Sequence, residues 1–290
     1  MARYWPANIN LASFKAHQLL SFAPKQIYEE PMITIDLNAD LGEADNAAWA
    51  RAEYAMLEYV SSATIACGGH AGTPTSMQHM VRGAKTFGTA IGAHPSYPDK
   101  VHFGRRSLVL GDDLSRAALE NSLLEQITTL AEIAANEESF ISYVKPHGAL
   151  YNDAVIDPIK ADLIVRNVAM IDPALIILGP PNSELKKAAK AYSLNFIAEG
   201  FIDRRYTDAG HLQSRSIDGA VIPSQTQRLV QAKKLVAKGV VTTDTGRDIP
   251  LTVQSLCLHG DSNDAVDTAR LVRREIEAIG AKIEAFSYAP

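Results

Sequence analysis

Ionisable side chains follow most of the short apolar runs in this sequence, at the points where strands would end. Four of them are histidines that stand beside glycine or proline, namely His70, His94, His147 and His259. Asp40 follows the first run in the same way. Histidines and carboxylates can transfer protons or bind a metal ion. We therefore expect one pocket with acid–base or metal chemistry.

The candidate site residues fall into two groups. The catalytic candidates are the ionisable groups that close the runs: Asp40, His70, His94, His147 and His259. The candidates for binding substrate carry an amide, a carboxylate or a cation: Asn38, Glu43, Arg105, Lys145, Glu199, Asp203, Arg204 and Asp261. Lys145 and Arg204 suit carboxylate or phosphate oxygens. Structural ion pairing of the arginines with Asp203 and Glu199 is the alternative.

Motifs of other catalytic classes are missing from the sequence. It has no GxSxG elbow and no Cys–His nucleophile arrangement, so covalent Ser or Cys catalysis is not expected. It has no GxxxxGK[ST] and no GxGxxG before a helix, so no self-contained ATP site is expected. Asp40, His70 and His94 could form a metal shell, but HExxH and a close HxH pair are absent, which leaves a divalent metal open.

Seven apolar runs alternate with helical segments and would position these residues. The runs are Met32–Leu37, Ala63–Cys67, Thr89–Ala93, Phe140–Val144, Ala174–Leu178, Phe196–Ala198 and Leu251–Leu258. Such alternation predicts parallel βα units, whose strands end at one face that carries the site. We predict an irregular seven-stranded (β/α) barrel, a single catalytic domain over residues 32–290. An open doubly wound sheet is the alternative.

Helix signals separate the runs. The clearest helix begins after Thr73, a natural N-cap followed by Pro74, and ends at Gly88. We predict other helices over Asn46–Val60 and Leu114–Ala135, after Asp157, Asn182 and Ser224, and before Gly280, with a hairpin over Val240–Gly246. Residues 1–31 are expected to form a poorly ordered N-terminal extension outside the barrel.

Composition limits the partners. The 290 residues carry a net charge of −5 and no basic stripe, so we expect no nucleic-acid partner. No apolar run approaches the ~20 residues that span a bilayer, so we expect no membrane segment. The two cysteines do not form a CxxC, and lone thiols suit a reducing cytoplasm.

Six motifs in unbroken order resemble those of the LamB/YcsF family, to which the A subunit of 5-oxoprolinase belongs. They are Ile35–Glu43, Ala66–Gly72, Ile91–Asp99 with Phe103–Arg106, Val144–Asn152, Glu199–Tyr206 and Cys257–Asp261. The resemblance covers about residues 32–287. Ala39 stands where the family often has cysteine, which argues against a catalytic thiol there.

The resemblance implies a barrel akin to the polysaccharide deacetylase and glycoside hydrolase superfamily. It implies an ATP-dependent enzyme that opens the lactam of 5-oxoproline to glutamate. It also implies two partners, subunits B and C, with ATP used by the assembled complex. A homo-oligomer is left open.

The mechanism expected from this resemblance is attack of water on an activated lactam. His70, His94 or Asp40 would act as general base, and His147 or His259 would donate a proton to the leaving group. Two rival functions are a stand-alone metal-dependent deacetylase or amidohydrolase and a non-catalytic subunit that binds the substrate.

Overall fold

Seven parallel strands close into a barrel in the computed structural model, which describes residues 33–260, 262 and 264–287. The strands in chain order are β1 (Thr34–Leu41), β2 (Ser62–Ala66), β3 (Ala90–His94), β4 (Tyr143–Val144), β5 (Ile176–Gly179), β6 (Phe196–Phe201), β7 (Val240–Thr242), β8 (Asp248–Pro250), β9 (Ser255–His259) and β10 (Lys282–Ile283). Strands β1 to β6 follow one another around the barrel, and β9 pairs with both β6 and β1 to close it. The predicted barrel is therefore confirmed, and the open sheet is excluded.

Helices connect these strands. They are α1 (Ala47–Met56), α2 (Pro74–Phe87), α3 (Arg116–Asn136), α4 (Gly148–Ile156), α5 (Pro158–Ile171), α6 (Glu184–Ala191), α7 (Gln225–Lys238) and α8 (Ala265–Ala278). The side chain of Thr73 caps α2 by accepting the backbone N–H of Ser76, and Gly88 ends the helix at φ 67°. Helix α4 was not predicted. It begins at Gly148, directly after His147, and its N-cap makes no side-chain hydrogen bond.

The interior of the barrel is polar along β1. Side chains alternate between the two faces of a strand, so Asp36, Asn38 and Asp40 share one face. Their contacts with residues of β6 and β9, and with Lys145 directly after β4, show that this face points into the barrel. The register of β1 with β9 places Asp40 opposite His259. The strands thus carry polar groups through the barrel to its carboxyl end.

The smaller elements agree with the sequence in part. Strands β7 and β8 form the predicted hairpin, which extends beyond Gly246 to Pro250. Strand β10 pairs with the first residues of β1. The predicted extension over residues 1–31 lies outside the described residues, and the division of the chain into extension and catalytic domain stays a prediction. Within the described ranges, no helix is long and apolar enough to cross a membrane.

Candidate active site

A cavity of about 540 Å³ opens at the carboxyl end of the barrel. The predicted residues that line it are Asp40, Glu43, His94, Arg105, Lys145, His147, Arg204 and His259. Four others stand behind this lining, in contact with it: Asn38, His70, Glu199 and Asp203. Asp261 lies outside the described residues. The structure therefore brings twelve of the thirteen candidates together, and their roles stay a proposal.

Three histidines meet around the carboxylate of Glu43. Its Oε1 lies 2.8 Å from His70 Nε2, 3.2 Å from His147 Nδ1 and 3.8 Å from His94 Nε2. His70 and His147 stack in parallel with their ring centroids 3.5 Å apart. Burial and the neighbouring His147 lower the pKa of His70 to about 3, so this ring is neutral. Its Nδ1 is buried and has no hydrogen-bond partner among the described residues.

Lys145 occupies the centre of the barrel end. Its Nζ lies 2.7 Å from Glu199 Oε1, 2.9 Å from Asp40 Oδ1 and 3.0 Å from Asn38 Oδ1. An ammonium group has three N–H donors, and these acceptors match them. Burial disfavours its charge, but Asp40 and the other anionic neighbours outweigh burial and hold the pKa of Lys145 well above its usual value. Lys145 is thus a fixed buried cation.

Asp36 and three serines hold Asn38, which in turn contacts Lys145. Asp36 accepts hydrogen bonds from the hydroxyls of Ser61, Ser62 and Ser255. Ser255 in turn accepts from Asn38 Nδ2 at 2.7 Å. Burial raises the pKa of Asp36 to about 6 despite the serine donors. The network fixes the amide of Asn38, which holds Lys145.

Both ring nitrogens of His259 contact a charged side chain. Its Nδ1 lies 2.6 Å from Asp203 Oδ2, and its Nε2 lies 3.1 Å from Arg215 Nη2. An arginine can only donate, so Nε2 accepts from Arg215 and the ring proton is on Nδ1. Burial opposes the charge of Asp203, but His259 outweighs it and lowers the pKa of that carboxyl. The ring is therefore held by Asp203 as a general base is held by a carboxylate, and in this structure the lone pair of Nε2 is engaged by Arg215.

Arg204 brings a partly unsatisfied cation to the cavity wall. Its side chain is buried, and Nη2 donates to the carbonyl of Gln213 at 2.6 Å. Its Nε is buried and finds no acceptor in the part of the chain that the structure describes. Burial lowers the pKa of Arg204 to about 10, so it stays charged at neutral pH. Such a guanidinium can bind a carboxylate or phosphate oxygen.

Glu53 holds the loop that carries Glu43, and it was not among the predicted site residues. Its two carboxylate oxygens accept the backbone N–H groups of Gly42 at 3.1 Å and Glu43 at 3.0 Å. Burial and the charge of Glu43 raise its pKa to about 7. Its position could have revealed it, because Glu53 lies four residues after Trp49 and three before Met56, within the apolar stripe of α1.

A buried group of donors could hold a metal ion. Glu43, His70, His94 and His147 offer ligand atoms within 4.8 Å of one another. The metal ligands expected from the sequence were Asp40, His70 and His94, without Glu43 and His147. In the structure, Asp40 is grouped instead with Cys257 and His259. Imidazole and carboxylate together suit first-row divalent metals.

Comparisons with known proteins agree with one another. The model of the LamB/YcsF family matches residues 35–289. A protein of Methylococcus capsulatus, named as the A subunit of 5-oxoprolinase, is 43% identical over 252 residues, which cover 87% of this chain and 95% of that protein. The protein of the same name from Bacillus subtilis is 38% identical over 256 residues, with 88% and 98% covered. The solved lactam utilization protein of Thermus thermophilus superposes with a TM-score of 0.79 at 34% identity, covering 88% of this chain and 100% of that one.

Proposed function

Because the chain belongs to the LamB/YcsF family, we propose that it acts as the A subunit of an ATP-dependent 5-oxoprolinase that hydrolyses 5-oxo-L-proline to L-glutamate. The names of its relatives support this role, as does the lactam utilization protein that shares its fold. The single observation that carries the proposal is the cavity itself, where a carboxylate-held histidine and a buried arginine both line the wall.

The reaction must overcome the resonance of a five-membered amide. Phosphorylation of the lactam oxygen by ATP creates an imidate-like carbon that water can attack. The water oxygen bonds to that carbon and one water proton passes to a base. The ring nitrogen gains protons as the C–N bond breaks, which leaves an acyl phosphate of glutamate. A second water then hydrolyses this acyl phosphate to the carboxylate and inorganic phosphate. The sequence has no phosphate-binding loop, so we assign the ATP step to the partner subunits B and C and the attack of water to this chain.

His259 is the residue that fits general base best. Its Nε2 lone pair accepts from Arg215 and becomes free to take a proton when that guanidinium turns to the anionic substrate, and Asp203 would stabilise the imidazolium that forms. Arg204 binds the substrate carboxylate or the phosphoryl group, since its buried Nε can donate to an anion. The cavity of about 540 Å³ leaves room for both the ring and a phosphoryl group. Arg105, at the rim, adds a further cation.

We assign Lys145 to positioning the side chains around it, not to binding the substrate. Its three donors are taken by Asn38, Asp40 and Glu199, so it holds these side chains in place at the cavity floor. Asp40 Oδ2 lies 3.3 Å from His94 Nε2 and 3.9 Å from His259 Nε2, which places this carboxylate between the two rings. The imidazolium of His259 that forms in the first step can then supply a proton to the leaving nitrogen.

A metal-dependent amidohydrolase that works alone is the second candidate, and the buried Glu43–histidine group favours it. The two functions differ in their requirements. We expect purified chain to release glutamate from 5-oxoproline only with ATP and both partner subunits. Hydrolysis by the chain alone, without ATP, would instead support the amidohydrolase. We also propose a cytoplasmic location, since both cysteines are free and buried.

A further inference from the structure

We propose that Glu43, His94 and His147 bind one divalent transition-metal ion, Zn²⁺ by their ligand types, with an open coordination position toward the cavity. All three line the cavity, whereas His70 stands behind them. Catalytic zinc sites have this composition, with three protein ligands and a free position for water or substrate. The proposal concerns binding alone and holds whichever reaction the cavity performs.

The proton positions of His94 and His147 support metal binding at this site. His94 Nδ1 lies 2.7 Å from the carbonyl oxygen of Lys145, and His147 Nε2 lies 3.0 Å from that of Phe103. A carbonyl oxygen only accepts, so each of these nitrogens carries its hydrogen. In the neutral rings the opposite nitrogens, His94 Nε2 and His147 Nδ1, then bear lone pairs. These two nitrogens lie 3.0 Å apart.

Two lone pairs at this distance repel each other unless a positive species lies next to both. Glu43 Oε1 completes a triangle with them, at 3.2 Å from His147 Nδ1 and 3.8 Å from His94 Nε2. Zinc bonds of roughly 2.0–2.2 Å in a tetrahedron separate neighbouring ligand atoms by about 3.3–3.5 Å. The sides of the triangle, 3.0, 3.2 and 3.8 Å, lie on both sides of this range, within about 0.3 Å of it, so small shifts of the side chains would form one face of a tetrahedral site.

Contacts behind the ligands match those of established metal sites. Histidines that bind metals usually donate their other N–H to a carbonyl or carboxylate, as both rings do here. The carbonyl that His147 meets belongs to Phe103, whose φ of 54° is rare for a residue with a side chain. Glu43 is held by its backbone to Glu53 and accepts from His70.

A proton on His94 Nε2 is the alternative to a metal ion, because it would also remove the repulsion between the lone pairs of His94 Nε2 and His147 Nδ1. The two occupants differ in what the purified chain binds. A metal ion would polarise a substrate carbonyl or activate a water. A proton would leave the triangle with no affinity for metal beyond that of surface histidines.

Metal titration of the purified full chain separates these cases. The chain is freed of metal with a chelator, dialysed and titrated with Co²⁺ while its visible d–d absorption is recorded, and Zn²⁺ binding is measured by calorimetry. We expect one equivalent per chain and a tetrahedral Co²⁺ spectrum. His94→Gln and His147→Gln should each weaken binding at least ~100-fold, since each removes one of three ligands.

The matched control is His102→Gln, because His102 is half-exposed, pairs with Asp99 and lies outside the triangle. It should bind metal as the original chain does. Thermal melting of every variant identifies any that fail to fold, and Glu43→Gln then serves as the replacement. The proposal is overturned by the absence of stoichiometric binding, or by binding that survives in folded His94 and His147 variants.

Discussion

Replacing Lys145 with methionine should destabilise the chain more than any surface change of the same kind. Its Nζ lies within 2.9 Å of Asp40 and Glu199, and none of the three side chains is more than 6% exposed. The substitution keeps much of the volume but leaves two buried carboxylates without their cation. Breaking a buried pair by removing one partner costs about 3–5 kcal/mol. Since domains are stable by roughly 5–15 kcal/mol, a large part of the stability would be lost.

Urea unfolding of the purified chain, followed by circular dichroism, measures this loss. Lys187→Met is the matched control, because Lys187 is 74% exposed and its pair with Glu184 should contribute at most ~1 kcal/mol. Adding Glu199→Gln to Lys145→Met removes one stranded carboxylate and should recover part of the loss. A Lys145→Met cost no larger than that of Lys187→Met would refute the buried-cation role.

Three further predictions concern the groups around the site. Asp36 has a pKa of about 6 in the fold against 3.8 as its ordinary value, so the folded chain binds the extra proton and loses stability as pH rises between these values. At about 1.36 kcal/mol per unit, wild type should lose up to roughly 3 kcal/mol relative to Asp36→Asn across this window, and parallel urea-unfolding profiles would contradict this. Glu53→Gln replaces one carboxylate oxygen by an NH₂ group, which cannot accept from the backbone N–H that Glu53 now binds. The loop that carries Glu43 should therefore shift and Co²⁺ binding should weaken about 10–100-fold. An unchanged Co²⁺ affinity would count against the role of Glu53 in positioning Glu43. Gly92→Ala would place a Cβ 2.1 Å from the Tyr143 ring and should cost ~1–3 kcal/mol in urea unfolding, whereas wild-type stability would show that the ring moves freely.

The barrel and the meeting of its polar strand ends could be predicted because both depend on local patterns. Runs of apolar residues specify strands, and parallel strands deliver the side chains at their carboxyl ends to one face. His94 at the end of β3 and His259 at the end of β9 were placed together on that reasoning alone. The motifs of the resemblance then gave the family.

Other features depend on tertiary contacts that no spacing reveals. Lys145 looks like a substrate cation in sequence, and only the structure shows that its donors are already taken. Helix α4 begins at Gly148 with φ +57° and without a side-chain cap, so its start lacks the usual signal. Arg215, which fixes the proton position of His259, comes from a long loop whose path is set by packing.

The general-base role of His259 is tested by the turnover number of the enzyme reconstituted from His259→Asn chain, ATP and both partner subunits. In the proposed reaction His259, fixed by Asp203, takes the proton from the attacking water at the cavity wall. We predict a fall in kcat of about 10²–10⁴ with the fold intact, while His102→Asn turns over normally. A kcat for His259→Asn within about twofold of wild type would rule out this role, since general-base help at this position could then contribute little.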